Sequence, residues 1–168
     1  MKWLMGTLAV LATGCGALGK DAGEASCTVD GLTGLASANM DGDAWSASDG
    51  TWNRTGSGIQ IILQFPETER SMTIRGNRDQ SGDDLVDLID SAAFPINISL
   101  DGEDGTGSVM DSRFRTSYAS NKPGGSGDMS ILDVQGSTMT ACFSFVATND
   151  DGEGIEVTEG MVEVDELN

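Results

Sequence analysis

The chain has 168 residues, with 9 Lys and Arg against 27 Asp and Glu, a formal charge of -18, three Cys and no His. This length fits one domain, and the missing imidazole excludes Ser-His-Asp and Cys-His catalysis, His-ligated zinc and proximal-His haem. The charge repels phosphate backbones and anionic head groups, so neither nucleic acid nor a bare membrane surface is an electrostatic partner.

In chain order, the first feature is an address. After one cation, Lys2, the chain runs uncharged from Trp3 to Gly19, with Leu4, Leu8, Val10 and Leu11 as its apolar middle. This is the layout of a signal peptide. Interrupted by Gly6 and Gly14, and shorter than the roughly 20 apolar residues that span a bilayer, the run is not read as a permanent transmembrane helix. Leu11-Ala12-Thr13-Gly14-Cys15 resembles a bacterial lipoprotein signal, in which small residues precede a cysteine that is acylated and becomes the mature N-terminus. Residues 1–14 are therefore expected to be a lipoprotein signal peptide and Cys15 the lipidation site, carrying palmitate-type chains. Gly16, in place of Asp, fits the outer-membrane sorting pattern, and two or three acyl chains anchor stably where one is marginal. An ordinary secretory signal is the alternative; either reading sends the chain out of the cytoplasm.

Residues 15–26 then read as the lipidated Cys and a flexible tether: Gly16 to Ser26 is small, polar and rich in Gly and Ala, with no apolar periodicity. Eleven such residues reach at most about 36–40 Å. With Cys15 assigned to lipid, Cys27 and Cys142 remain, and an exported chain is expected to pair them as a disulfide.

Residues 27–168 are expected to form an all-β, single compact antiparallel β-sandwich or barrel-like domain, because short β-type runs alternate with Gly, Asp, Asn and Ser clusters. The runs 36–40 and 43–47 flank Asp41-Gly42, a dipeptide suited to a two-residue hairpin turn. Along 58–65, alternation places Ile59, Ile61, Leu63 and Phe65 on one face, and Pro66 ends the strand. Residues 72–75 and 85–89 are predicted to pair around the 79–83 turn. Leu85, Val86, Leu88 and Ile89 also fit a helical stripe over 82–92 with Ser81 as its cap. Further strands are predicted over 96–100, 114–118, 129–134 and 139–148. The last is central and carries Ala141, Phe143, Phe145 and Ala147 on one face. In the final run, Ile155 and Val157 have odd parity while Val162 and Val164 have even parity, which a period of two cannot place on one side. A β-bulge or tight bend near Glu159-Gly160 is predicted to restore both pairs to the core.

The stretches 38–45 (Ala-Asn-Met-Asp-Gly-Asp-Ala-Trp) and 140–164, with Phe143-Ser144-Phe145 and Val157-Thr158-Glu159-Gly160, resemble a family of uncharacterised bacterial cell-envelope lipoproteins. That family combines an early Asp-Gly-x-x-Trp hairpin with a late Phe-x-Phe hairpin. The resemblance implies a compact antiparallel β domain and an envelope location, and supplies no catalytic residues.

Three acidic loops carry oxygen ligands of the calcium type, at 41–43, 101–105 and 149–154. Against the EF-hand template begun at Asn149, position twelve is Gly160 where a bidentate Glu is required, so no metal is assigned. Asp and Gly in such loops are ordinary turn chemistry. Trp45 and Trp52, with Tyr118, offer a carbohydrate-facing aromatic surface, although a Trp beside a hairpin turn is more often a core plug, and Trp45 is expected in the core. Arg113 and Arg115 flank Phe114 and, with Lys122, form the one local concentration of cations. The leading expectation is a membrane-anchored lipoprotein acting as a non-catalytic binding or surface module, without cofactor and with its protein or glycan partner unknown. The alternatives are a glycan-active hydrolase using paired Asp and Glu, or a carrier of a small apolar ligand.

Overall fold

The computed structural model describes residues 35–167. The expected signal peptide and tether, with Cys15 and Cys27, lie outside the described residues.

The first hairpin forms as its sequence predicts. Strands β1 (Ala36–Met40) and β2 (Asp43–Ala47) pair in register around Asp41 and Gly42, whose φ values of 53° and 87° are the two positive angles a type I′ turn requires. Only Ser48 separates β2 from β3 (Asp49–Thr55), so the two make one bent strand. Its first half pairs with β1 and its second with β4 (Gly58–Phe65). Strand β4 buries Ile59, Ile61, Leu63 and Phe65, as alternation demands. Pro66 has no N–H to continue the ladder, and the chain leaves through a single 3-10 turn, Pro66–Thr68.

Strand β5 (Arg70–Gly76) has β4 on one side and β7 (Gly105–Asp111) on the other. The predicted pairing of 72–75 with 85–89 is therefore wrong, and the helical alternative holds: Leu85–Asp90 is helix α1. The apolar spacing decides it, since Leu85 and Ile89 meet the core four residues apart, one helical turn. Asp84, not Ser81, occupies the N-cap position. Residues 79–83 are folded by the Asp79 carboxylate, which accepts the Ser81 and Asp83 N–H groups at 2.9 and 2.8 Å.

The remaining strands are β6 (Ile96–Ser99), β8 (Thr116–Ala119), β9 (Ser126–Gln135), β10 (Thr138–Thr148) and β11 (Gly154–Asp165). The predicted strand over 114–118 is displaced: Arg115 takes φ 53° and Phe114 is 72% exposed in the turn before β8. The sheet runs β2-β1-β11-β10-β8-β7-β5-β4-β3, with β9 joining β10 to β6. Every ladder between named strands is antiparallel. The end strand β3 returns to the start of this order: it is separated from β2 only by Ser48, and Trp52 forms a parallel bridge to Glu166, just after β11, while its carbonyl accepts the Leu167 N–H at 2.7 Å. The result is an all-β, nearly closed barrel-like domain.

Strand β10 is central, flanked by β11 on one side and by β9 and then β8 on the other. The bulge in β11 appears where the parity of its valines requires it. Phe143 faces Gly160, whereas Phe145, two residues on, faces Val157, three residues back. The extra residue includes a left-handed turn at Glu159, φ 53°. Ile155, Val157, Val162 and Val164 are all buried as a consequence. Gly160 is obligatory here because a Cβ would overlap the ring of Phe143.

Strands β3 and β7 are absent from the sequence-based prediction. Their glycines leave room for neighbours. A Cβ on Gly107 would stand 2.7 Å from the ring of Phe145, and one on Gly50 2.8 Å from Leu63. The interior is filled, with Trp52, Ile61, Leu63, Met72, Leu100 and Ile131 each fully buried.

Candidate functional site

Where β4 ends at Phe65-Pro66 the barrel leaves a seam. One wall is β2; the other is Phe65 with the Pro66–Thr68 turn. Trp45, at the middle of β2, bridges them: its ring meets Phe65 edge-on at 5.7 Å between centroids, and the Arg70 guanidinium lies 4.6 Å from its ring centre. Shallow clefts flank it on both sides. One, of about 280 Å³, is lined by Ser37, Asn39, Ala44, Ser46, Glu159 and Met161 together with Ala38 and Trp45. The other, of about 130 Å³, lies in the seam itself between Ala44, Trp45, Ser46, Phe65, Glu67 and Thr68.

Behind Trp45 stands an ion cluster centred on a buried carboxylate. Asp111, 2% exposed at the end of β7, accepts Arg70 Nε at 2.6 Å and Arg113 Nη2 at 2.9 Å on Oδ2, and the Arg113 main-chain N–H at 3.1 Å on Oδ1. The Arg113 hydrogen bonds, followed by those of Arg70, hold the Asp111 carboxyl well below the usual carboxylate range, against the opposing effect of burial. The cluster fixes Arg70, and Arg70 in turn fixes the face of Trp45; in an acidic protein this is a rigid cation–aromatic wall.

This coupling gives a pH prediction. A depressed folded-state value means that the unfolded chain takes up the proton first. The stabilisation from Asp111 is therefore fully present above about pH 4, the unfolded carboxyl value, and declines as pH falls below it. Asp111→Asn is expected to lower the urea midpoint at pH 7, with the gap from the unsubstituted protein narrowing by pH 3. A gap that stays constant with pH would show that the carboxylate charge is not what stabilises the site.

The sequence-derived aromatic surface does not assemble. Trp45 is half-buried at the seam, while Trp52 is fully buried and Tyr118 is half-buried on β8 against the core. Trp45 packs against the core from the seam, and the fully buried plug is Trp52: the bend at Ser48 turns β3 inward, and Trp52 Nε1 donates to the Ser137 carbonyl at 2.8 Å. Two of the three local cations pair with neighbouring acids. Arg113 is spent on Asp111, and Lys122 pairs with Asp150 at 2.7 Å across the β8–β9 and β10–β11 turns.

The acidic loops are held by turn chemistry. Asp41 Oδ1 accepts the Glu156 N–H at 2.9 Å, clamping the first hairpin to β11. Asp101 Oδ1 accepts the Glu103 N–H at 3.2 Å. Asn149 Oδ1 accepts the Asp151 and Glu153 N–H groups at 3.0 and 2.9 Å. Among the described residues no group of three acids or cysteines is arranged to hold a metal ion. Asp128 on β9 is pushed up, first by burial and then by Asp101, and neither acid lines the clefts beside Trp45.

Cys142 lies on β10 facing Met161 and Ser130 across its ladders, 8% exposed and outside the core cluster. It is not a free thiol. Sequence reasoning missed Arg70 and Asp111, because the two are 41 residues apart and meet only through the β5–β7 ladder.

No family model, curated protein or solved structure matches this chain.

Proposed function

We propose that the protein is a lipid-anchored component of the bacterial cell envelope, of the outer-membrane type, whose β domain is a non-catalytic binding or surface module. The observation that carries this reading is Cys15, placed behind Leu11-Ala12-Thr13-Gly14 near the end of the uncharged run from Trp3 to Gly19. Acylation holds at a membrane a domain whose charge of -18 would keep it away. The resemblance of the early Asp-Gly-x-x-Trp and late Phe-x-Phe hairpins to envelope lipoproteins points the same way.

The domain itself supports binding over catalysis and transport. Its interior is occupied by large side chains, which favours a solid scaffold over a ligand-carrying barrel, and the carboxylates at 41, 101 and 111 are engaged in holding turns and strands. The clefts beside Trp45 are the surface such a module would present.

Mass analysis of protein made in its native host tests the anchor. The expected product begins at Cys15 and carries diacylglyceryl and N-acyl groups, and Cys15→Ser is expected to move it from the detergent phase to the aqueous phase. An intact leader, or an unmodified thiol at residue 15, would overturn the assignment.

A further inference from the structure

Antiparallel ladders spend alternate backbone groups on alternate sides. Flanking β1, the Leu35 carbonyl accepts Glu163 N–H at 2.8 Å while the Leu35 N–H donates to the Ala47 carbonyl at 3.2 Å, and Asp41 N–H donates to the Glu156 carbonyl at 2.9 Å, so between these ends the odd residues of β1 face β11. Even residues then bond to β2, and the register Ala38↔Trp45 and Met40↔Asp43 assigns the inward groups of β2 to Asp43, Trp45 and Ala47. Ala44 and Ser46 turn their N–H and C=O groups outward, into the seam cleft that both residues line.

Strand β2 has β1 as its single partner among the described strands. Two other edges each carry a backbone bond: Leu167 N–H caps β3 at Trp52, and Gln80 N–H reaches Asn97 on β6 at 2.9 Å. Natural edges are usually blunted by Lys, Pro or a bulge. Strand β2 has none of these, and Ala44 and Ser46 are small and exposed. Across the seam, Pro66 offers no donor, and the chain turns away in the 3-10 turn.

We propose that the β2 edge is a docking site for an extended peptide segment carrying Lys or Arg at alternate positions, which adds to the sheet beside Ala44 and Ser46. Backbone pairing would supply affinity and flanking side chains would supply selectivity, as in other strand-addition complexes. Charge selects the occupant. Asp43, Asp49 and Glu67 border the edge, all exposed, and none forms an ion pair among the described residues. A second copy of this chain would bring the same carboxylates and another charge of -18 to the same edge, and like charges set opposite one another oppose pairing. The inference deepens the binding role proposed above and rests on it, but not on the lipid anchor.

Titration of the full chain with end-blocked Lys-Val-Lys-Val-Lys-Val, compared with Glu-Val-Glu-Val-Glu-Val, tests it by amide hydrogen exchange and by fluorescence. The cationic peptide is expected to bind at least tenfold more tightly, to slow exchange at Ala44 and Ser46, and to weaken with added salt. Ser46→Pro removes an outward N–H that the β1 ladder does not use, and is expected to reduce affinity at least tenfold. Should that variant fail to fold, methylation of alternate peptide amides is expected to give the same loss with the protein unchanged. Equal binding of the two peptides, or binding that survives both the proline and the methylated amides, would overturn the proposal. So would a dimer of the chain alone with Ala44 and Ser46 protected. Each of those results leaves the anchoring at Cys15 standing, whereas a failed Cys15 test leaves the peptide site standing.

Discussion

Trp52→Ala is expected to destabilise the domain by about 3–5 kcal/mol, the range for removing a fully buried aromatic side chain, and to lower Tm by roughly 10 °C or more. Trp52 is 0% exposed, and its indole N–H satisfies the Ser137 carbonyl at 2.8 Å. Its own carbonyl accepts Leu167 N–H, which is where β3 meets the end of β11 and the barrel closes. Trp45→Ala should cost clearly less, since that ring is only half-buried and makes its contacts with Phe65 and Arg70 at the seam. Urea melts of the two variants decide the matter: equal losses would mean that Trp52 is not the plug at the closure.

The second large effect concerns sulfur. Cys142→Ser is expected to lower stability by about 4–5 kcal/mol, the chain-entropy contribution of a bridge to Cys27 that closes a loop of more than 100 residues. Cys27→Ser should give the same loss, and the double variant should lose no more than either single one. A reducing agent should bring the unsubstituted protein down to the level of the variants. Additive losses, or a urea midpoint indifferent to reductant, would refute the Cys27–Cys142 pairing. The position of Cys142 favours a bridge: it sits on β10 opposite the core-facing Ala141 and Phe143, yet is only 8% exposed.

Local chemistry made several elements legible. Asp41-Gly42 takes the two positive φ angles that its composition invites, and the alternation of β4 maps residue by residue onto burial. The opposed parities of Ile155/Val157 and Val162/Val164 call for a bulge or tight bend near Glu159-Gly160, and the register of β11 shifts there. The misreadings also have definite causes. Strands β3 and β7 escaped prediction because their glycines at 50 and 107 lie beneath aliphatic and aromatic side chains from other strands, which replaces the apolar alternation a strand would show. Residues 85–89 satisfied two periods at once, and the neighbours of β5, already taken by β4 and β7, left the helix as the remaining solution. Trp45 and Trp52 are indistinguishable by composition; the bend at Ser48 sorts one to the seam and the other to the core.

From its residues alone, this protein declares its all-β class and the faces of its regular strands, because those depend on turn chemistry and a period of two. Tertiary structure decided which Trp closes the barrel, how Asp111 gathers Arg70 and Arg113, and which strand edge stays open. Those outcomes depend on which distant segments become neighbours, and a side-chain period carries no information about what lies across the ladder.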